Sequence, residues 1–423
     1  MIRDGGGCTL SYKRLDRLFH ENTSSNRKSE NEHEAQTRLT APSSFRTGID
    51  VGADELFLAV PRELSIATEK ILRTERKVSQ LWRDLPGIAC GAYVRNLIVD
   101  EVVCTNKMEG VQSTRKQIEE ALEGIDGGRR GRSSYEAVHR VREPISWSCQ
   151  RRCRPARNAC GHPRAVRRGR RRHAESGDAP DGQLFRKFGV DIKAPTDRVV
   201  HRGVEPEDAI VSYLDKMIDL VSSEDMPEVY SALLSHYLFE YIHPFYDGNG
   251  RTGRFLLALY LSNPLSLPTT LSLCRVIAEH KGAYYKAFSV TEDPLNHGEA
   301  TFFVLQMMDL VRIAQEELVA ELGTRRDALS TAEGRLEEIR LRGALSDRAC
   351  GVLYQMVQVA LFGSSPEVTL RDIAAYLEVT PQSARKYALE LERANFVEAV
   401  SLRPLKFKLS DDGKEAFGIE DLA

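Results

Sequence analysis

Twelve residues between two apolar runs constrain this chain more than any other stretch: His243-Pro244-Phe245-Tyr246-Asp247-Gly248-Asn249-Gly250-Arg251-Thr252-Gly253-Arg254. They supply an imidazole, a carboxylate, an amide between two glycines, and two guanidiniums. The apolar run 255–261 follows directly and reads as a helix. Together these groups indicate a phosphate site at a helix start, with a proton acceptor beside it.

The two glycines and two arginines of this stretch suit an anion. Gly248 and Gly250 tolerate backbone angles that turn consecutive N–H groups inward to form a concave nest. The following helix start adds unpaired N–H groups and the positive end of its dipole. Arg251 and Arg254 lie three residues apart on one helix face, and their guanidiniums match phosphate oxygens in pairs.

The remaining groups supply a metal ligand and a base. Asp247 offers the hard oxygen that Mg²⁺ takes from a carboxylate when it also binds substrate phosphates. His243 titrates near neutral pH and can take a proton from an attacking hydroxyl. Phe245 reads as a core side chain that fixes the loop. The alternative interpretation is a glycine-rich turn that caps a helix, with solvated arginines and a core histidine.

The stretch resembles, at every position, the signature of the Fic family, His-x-Phe-x-Asp/Glu-Gly-Asn-Gly-Arg-x-x-Arg. Most characterised Fic proteins transfer AMP from ATP to a hydroxyl of a protein side chain, on a helical fold. The resemblance implies that His243 is the general base and that Asp247 holds Mg²⁺ on the α- and β-phosphates. It implies that Arg251 contacts the β-phosphate side and Arg254 the γ-phosphate. The expected phosphate-binding set is Gly248, Asn249, Gly250, Arg251, Gly253 and Arg254.

A second short motif precedes this loop by more than a hundred residues. The stretch from Thr105 to Gly110 can be read as a helix end, with Gly110 as a left-handed cap and Glu109 solvated. It also matches the inhibitory motif of Fic proteins, Ser/Thr-x-x-x-Glu-Gly/Asn. By that resemblance Glu109 forms an ion pair with Arg254. A carboxylate on that guanidinium competes with phosphate, because one fork cannot serve both fully.

Composition narrows the setting. The 423 residues carry a net charge of -2, so any binding to nucleic acid needs a local basic patch. The eight cysteines are scattered, which favours a reducing, cytoplasmic location without a signal peptide. The longest apolar runs fall short of the roughly 20 residues of a membrane-spanning helix, so we expect no membrane contact.

The N-terminal third divides into three expected segments. Residues 1–48 are polar, with little apolar periodicity, and read as a flexible tail or as the product of a start codon placed too far upstream. Residues 49–128 read as helices that include the inhibitory motif, with a helical pattern from about residue 53 and a break at Pro86-Gly87. Residues 129–180 form an anomalous segment.

That segment holds 15 arginines and no lysine between residues 129 and 172. We favour a local frame error in the coding sequence, because GC-rich DNA read out of frame yields arginine-heavy translation. A disordered insertion and a basic nucleic-acid arm stay open. So does a zinc site, although the spacing fits no familiar finger; its ligands would be Cys149, Cys153, Cys160 and His162.

Residues 181–330 are expected to form the Fic catalytic core. Val190 and Ile192 alternate with polar neighbours and predict a short strand, with residues 199–201 returning antiparallel. This looks like the Fic flap hairpin, which is thought to grip the target segment as an added strand; a plain surface hairpin is the alternative. The expected target-docking residues are Phe185, Val190 and Ile192. Two helices should follow at about 205–222 and 227–242, while Tyr284, Tyr285 and Phe288 line the nucleotide pocket or belong to the core.

Residues 345–412 resemble a winged helix-turn-helix module, which often follows Fic domains. Thr380 suits a helix N-cap and Pro381 the first helical position. In the DNA-binding reading, Ser383, Arg385 and Lys386 face the groove or backbone. Dimerisation or protein contact is the competing role.

The sequence therefore predicts a mainly α protein, with a Fic helical core, a small β-hairpin flap and a C-terminal winged-helix domain. The predicted function is a self-inhibited protein adenylyltransferase that uses ATP and Mg²⁺ on a protein hydroxyl. One alternative is a DNA-binding transcriptional regulator whose Fic domain senses nucleotide, and another is a disabled gene product. The sequence leaves three questions open: which protein is the target, whether the enzyme transfers or removes AMP, and whether it forms a homodimer.

Overall fold

The computed structural model of the protein describes residues 12–127, 181–193 and 199–422. The proposed frame-error window and the cysteines and histidine of the zinc alternative lie outside these residues. The described chain is mainly helical and forms two compact units. Their described parts are residues 12–75, 105–111, 181–193 and 199–315 for the first unit, and residues 76–104, 112–127 and 316–422 for the second.

The expectation of a flexible tail is wrong for residues 12–48. They form helix α1 (Leu15–Glu21), helix α2 (Arg27–Leu39) and most of strand β1 (Ser44–Val51). Leu15 is fully buried, and Arg38 makes a 2.9 Å ion pair with the buried Glu299. A few buried anchors and a long-range ion pair thus hold a segment whose local pattern carries no helical apolar period.

Strand β2 (Asp54–Ala59) pairs antiparallel with β1, where a helical pattern was expected from about residue 53. The strand is fixed from outside as well, since Phe57 N donates to Gly298 O at 3.1 Å. Beyond it run α3 (Arg62–Arg83), α4 (Gly87–Met108) and α5 (Arg115–Gly127). The break predicted at Pro86-Gly87 is confirmed.

The rest of the first unit surrounds one buried helix. A hairpin of β3 (Asp191–Lys193) and β4 (Val199–Arg202) leads into α6 (Glu207–Ser222), α7 (Glu228–Ile242) and α8 (Asn249–Leu261). Then come α9 (Leu267–Glu279), α10 (Lys281–Thr291) and α11 (Thr301–Leu341), of which residues 301–315 belong to this unit and the remainder to the second. Helix α7 is buried on nearly every side, as expected of a helix at the centre of a core. Helix α7 ends at Ile242, so His243 directly follows a helix that is fixed by the core around it.

The second unit contains the C-terminal elements of the chain. Helix α12 (Asp347–Phe362), strand β5 (Val368–Thr369), α13 (Leu370–Tyr376) and α14 (Pro381–Arg393) precede β6 (Val397–Leu402), β7 (Leu405–Leu409) and α15 (Asp411–Phe417). The three strands form one sheet in the order β5-β7-β6. Thr380 caps α14 by accepting a bond from Ser383 N.

None of the helices in the described ranges combines the length and apolarity that crossing a bilayer requires.

Candidate functional site

His243 lies at the C-terminus of α7 in a left-handed conformation, with φ 51°. Its Nδ1 lies 3.3 Å from the carbonyl oxygen of Glu240. Because a carbonyl only accepts, this contact assigns the proton to Nδ1 and leaves the lone pair on Nε2. Burial lowers the pKa of His243 to about 4, helped by the nearby His201 and Arg186 charges. The imidazole is therefore neutral at pH 7 and ready to accept a proton.

Asn249 shapes the loop after His243. Its Oδ1 accepts from Phe245 N at 2.8 Å, and its Nδ2 donates to Phe245 O at 2.7 Å. Both side chains are buried, so Phe245 is the core side chain that the sequence predicts. The amide of Asn249 is used mainly to close the loop, which leaves its backbone N–H as the more available group for a phosphate.

The start of α8 has the features of an anion site. Gly248 is the N-cap with φ 76°, and no side chain caps the helix. The first N–H groups of the helix are therefore left for another acceptor. Arg251 Nη2 donates to Asp247 Oδ2 at 2.8 Å, and the Asp247 side chain is 53% exposed. An exposed carboxylate and a guanidinium thus lie together at this helix end.

Arg254 makes the contact predicted from the second motif. Its Nη2 donates to Glu109 Oε1 at 2.6 Å, and its Nε donates to Thr105 Oγ1 at 2.9 Å. The guanidinium is buried, whereas Glu109 keeps 21% of its side chain exposed. A Cβ added at Gly250 would collide with the same Glu109 oxygen. Glu109 therefore lies directly over the glycine loop and holds the arginine beside it, while Gly110 follows with φ 74°.

A buried hydrogen-bond network fixes the backbone next to Arg254. The Tyr284 ring is fully buried and is influenced by the charge of Arg254, and its hydroxyl lies 2.9 Å from His236 Nε2. His236 Nδ1 lies 3.2 Å from Gly253 O. Burial lowers the pKa of His236 to about 3, so the ring is neutral and links two partners. Tyr284 is thus a core residue that supports the site, while Tyr285 is half exposed.

Glu240 is a third carboxylate at this site, and the sequence analysis did not predict it. Its Oε1 is buried and has no hydrogen-bond partner among the described residues. The same oxygen packs against Gly253, where an added Cβ would collide with it. Burial raises the pKa of Glu240 to about 7, and Glu109 adds to the rise although Arg254 opposes it. Its position three residues before His243, on the same helix, was the available signal.

The hairpin forms with the predicted antiparallel pairing. Ile192 lies opposite His201, and both Val190 and Ile192 are half buried. Phe185 does not belong to a docking surface, because it is buried with its ring 5.7 Å from that of Phe245. Packing of its ring against Phe245 thus overrides the predicted docking role of Phe185. The exposed aromatic here is Phe188, at 69%.

Residues 170–261 match the model of the Fic/DOC family. The Fic/DOC match includes the hairpin, α6, α7 and the whole loop from His243 to Arg254, and it ends with α8. A solved structure described as a Fic family protein from Desulfovibrio desulfuricans G20 is 18% identical to this chain, with a TM-score of 0.46. The structural match covers 84% of this chain and 97% of that chain.

Proposed function

We propose that this protein is a protein adenylyltransferase, which moves AMP from ATP to a Ser, Thr or Tyr hydroxyl of another protein. Fic family proteins generally carry out AMPylation or related nucleotidyl transfer. The observation that carries the proposal is the neutral imidazole of His243 on the loop that leads into an uncapped helix start. A base and an anion nest on one short loop are what transfer of a nucleotidyl group to a hydroxyl requires.

His243 Nε2 takes the proton of the target hydroxyl. The hydroxyl oxygen forms a bond to the α-phosphorus, the bond from that phosphorus to the bridging oxygen breaks, and pyrophosphate leaves with the electron pair. The helix N–H groups and the guanidiniums of Arg251 and Arg254 stabilise the charge that develops on the phosphates. General-base catalysis of this kind contributes about 10²–10⁴-fold in rate.

Asp247 fits the role of a Mg²⁺ ligand. It is exposed beside the anion nest, and its carboxylate is oriented by Arg251. Mg²⁺ needs only one or two carboxylates when phosphates complete its shell. When bound, the ion supplies charge neutralisation to the phosphates.

Glu109 is the inhibitor in this proposal. It holds Arg254 at 2.6 Å and lies over Gly250, in the space that the phosphates need. An ATP that reaches the loop must displace this carboxylate from a charge-assisted hydrogen bond. The resting enzyme is therefore closed until Thr105, Glu109 and Gly110 move away.

The hairpin serves as the docking edge for the target. Strands β3 and β4 pair only with each other in the described part of the chain. An extended target segment can add to them through backbone hydrogen bonds, with Val190 and Ile192 contacting its side chains. This mode gives affinity with little dependence on sequence.

The test is incubation with Mg²⁺ and ATP radiolabelled at the α-phosphate, followed by detection of labelled proteins. Glu109→Gly should label itself or lysate proteins, and Glu109→Gly/His243→Ala should not. Wild type should label weakly. A folded Glu109→Gly protein that transfers no label would overturn the adenylyltransferase proposal.

A second function is favoured by the C-terminal module. Helix α14 exposes Ser383, Arg385 and Lys386, and follows α13 after a short turn. We propose that this module is a winged helix that contacts DNA. Anisotropy of a labelled duplex should show salt-dependent binding, and Arg385→Ala/Lys386→Ala should lower the salt slope by about two. No binding by wild type, with a dimer seen by light scattering, would support the dimerisation role instead.

A further inference from the structure

Arg186 is fully buried in the segment that precedes the hairpin. Its guanidinium donates to four backbone carbonyls. The distances are 2.9 Å to His243 O, 2.7 Å to Phe188 O, 2.7 Å to Val204 O and 3.3 Å to Ile242 O. A buried guanidinium satisfied by carbonyl groups acts as a geometric clamp on the backbone segments that supply them.

The carbonyls belong to three separate segments. Ile242 and His243 lie at the C-terminus of α7, which is the negative end of the helix dipole and favours a cation. Val204 follows strand β4, and Phe188 precedes β3. Backbone bonds join the same segments, since Val204 N donates to Ile242 O and Arg186 N to Pro244 O. The guanidinium therefore lies where the hairpin and the end of the catalytic helix meet.

The described ion pairs give Arg186 no carboxylate partner. Burial lowers the pKa of Arg186, and the electrostatic effects of Tyr246 and Glu205 oppose this shift only in part. A guanidinium nevertheless stays charged in proteins. The carbonyl groups must therefore offset the loss of its hydration. An apolar side chain of similar volume often packs at least as stably as a buried charged group, so packing alone does not account for a guanidinium here.

His243 is the residue that benefits. A non-glycine residue at positive φ is strained and persists only where its surroundings fix it. Arg186 fixes the carbonyl of His243 directly and those of its neighbours as well. Its positive charge also disfavours protonation of the imidazole.

We propose that Arg186 is the positioning residue of the base: its guanidinium holds the backbone of His243 in the left-handed conformation and so fixes the position from which the imidazole reaches the target hydroxyl. The inference rests on the proposed function, in which His243 accepts the proton. It also explains Gly203, which has no positive φ that would require glycine. A Cβ there would collide with Arg186 Nη2 and lie 3.1 Å from His243 Cβ, so the glycine leaves space for the guanidinium.

The first measurement is steady-state transfer in the activated Glu109→Gly background. Arg186→Met should lower kcat by about 10–100-fold, while KM for ATP stays within about threefold, because the nucleotide contacts other residues. Arg186→Lys keeps the positive charge but lacks the several N–H donors of the planar guanidinium. Its kcat should therefore lie between that of Arg186→Met and that of the parent. The matched control is Arg46→Gln, which removes an exposed arginine paired with Glu55 on the β1–β2 hairpin.

The second measurement does not depend on activity. Selective ¹³C labelling of histidine allows the ring of His243 to be titrated by NMR, with His243→Gln assigning its signal among the 10 histidines. The pKa of about 4 should rise by roughly one unit or more in Arg186→Met. If Glu109→Gly transfers no AMP, the adenylyltransferase proposal fails, and this titration still decides whether Arg186 positions His243.

Gly203→Ala leaves Arg186 in the sequence but pushes its guanidinium out of position. This variant therefore tests the proposal if Arg186→Met does not fold. It should raise the pKa of His243 and lower kcat. Its effect should shrink in the Arg186→Lys background, where the fork is absent. An unchanged His243 pKa with an unchanged kcat in either folded variant overturns the proposal.

Discussion

Glu109 Oε1 accepts a 2.6 Å hydrogen bond from Arg254 Nη2 and lies over Gly250 at the start of α8. In the proposed ATP site, this one oxygen atom would compete with the nucleotide twice, because it holds the guanidinium and lies against the glycine loop. A conformational change that moves Glu109 frees both at once. We therefore expect that the protein cannot bind ATP productively while the Glu109–Arg254 ion pair is formed.

Graded removal of the Glu109 charge should give graded affinity for ATP. Glu109→Gln keeps the shape but replaces a charge-assisted hydrogen bond by a neutral one of about half the strength. Calorimetric titration with Mg²⁺ and ATP should give the tightest Kd for Glu109→Gly, an intermediate Kd for Glu109→Gln and the weakest for wild type, with about tenfold between the extremes. Glu120→Gln, an exposed glutamate of α5, is the control. Equal Kd values across the series would contradict the proposal that Glu109 competes with ATP for Arg254.

The acid limb of the pH profile should lie well below the ordinary pKa of histidine. The base must be neutral to work, and burial lowers the pKa of His243 to about 4. Transfer by Glu109→Gly should therefore hold its rate from neutral pH down through about 6.5, the unperturbed histidine value, and fall only as the pH approaches the lowered pKa. The measurement is kcat as a function of pH at saturating ATP. An inflection near 6.5 would show that the His243 ring is solvated in the working enzyme.

Glu240→Gln should stabilise the protein more at high pH than at low pH. Burial raises the pKa of Glu240 to about 7, whereas an unfolded glutamate titrates near about 4.3. Between these values the folded state holds a proton that the unfolded state has lost, so rising pH weakens the parent. The variant carries no such proton.

The measurement for Glu240 is the difference in Tm between the variant and the parent, taken at about pH 5 and about pH 8. This difference should grow by roughly 5 °C over that interval. Comparing the two proteins cancels the titration of other groups, His236 and His243 among them. A difference in Tm that does not change with pH would place an ionised Glu240 in the folded protein.

Asn249→Ala should loosen the loop and destabilise the first unit. The change removes two hydrogen bonds to Phe245 and leaves its buried N–H and C=O without that partner. The expected loss is about 1–3 kcal/mol in the free energy of unfolding, measured by urea titration, together with a lower transfer rate. Asn26→Ala is the control, because this N-cap side chain makes no capping bond. A stable Asn249→Ala protein would mean that the loop holds its shape without the amide.

Local patterns predicted much of this protein. The loop from His243 to Arg254, the break at Pro86-Gly87 and the cap at Thr380 depend on neighbouring residues, and each lies where the pattern puts it. The Glu109–Arg254 contact spans 145 residues. It was predicted because both motifs resemble one family, and neither motif alone points to the other.

The sequence by itself determined the helical class and the groups that carry the proposed chemistry, because helix periodicity and turn residues act over a few positions. Only the tertiary structure decided how those groups are held. Arg186 reaches His243 across 57 residues, and Arg38 reaches Glu299 across 261. Burial set the protonation of His243 and Glu240. Such contacts form only when the chain closes on itself, since desolvation and backbone carbonyl positions belong to the packed core.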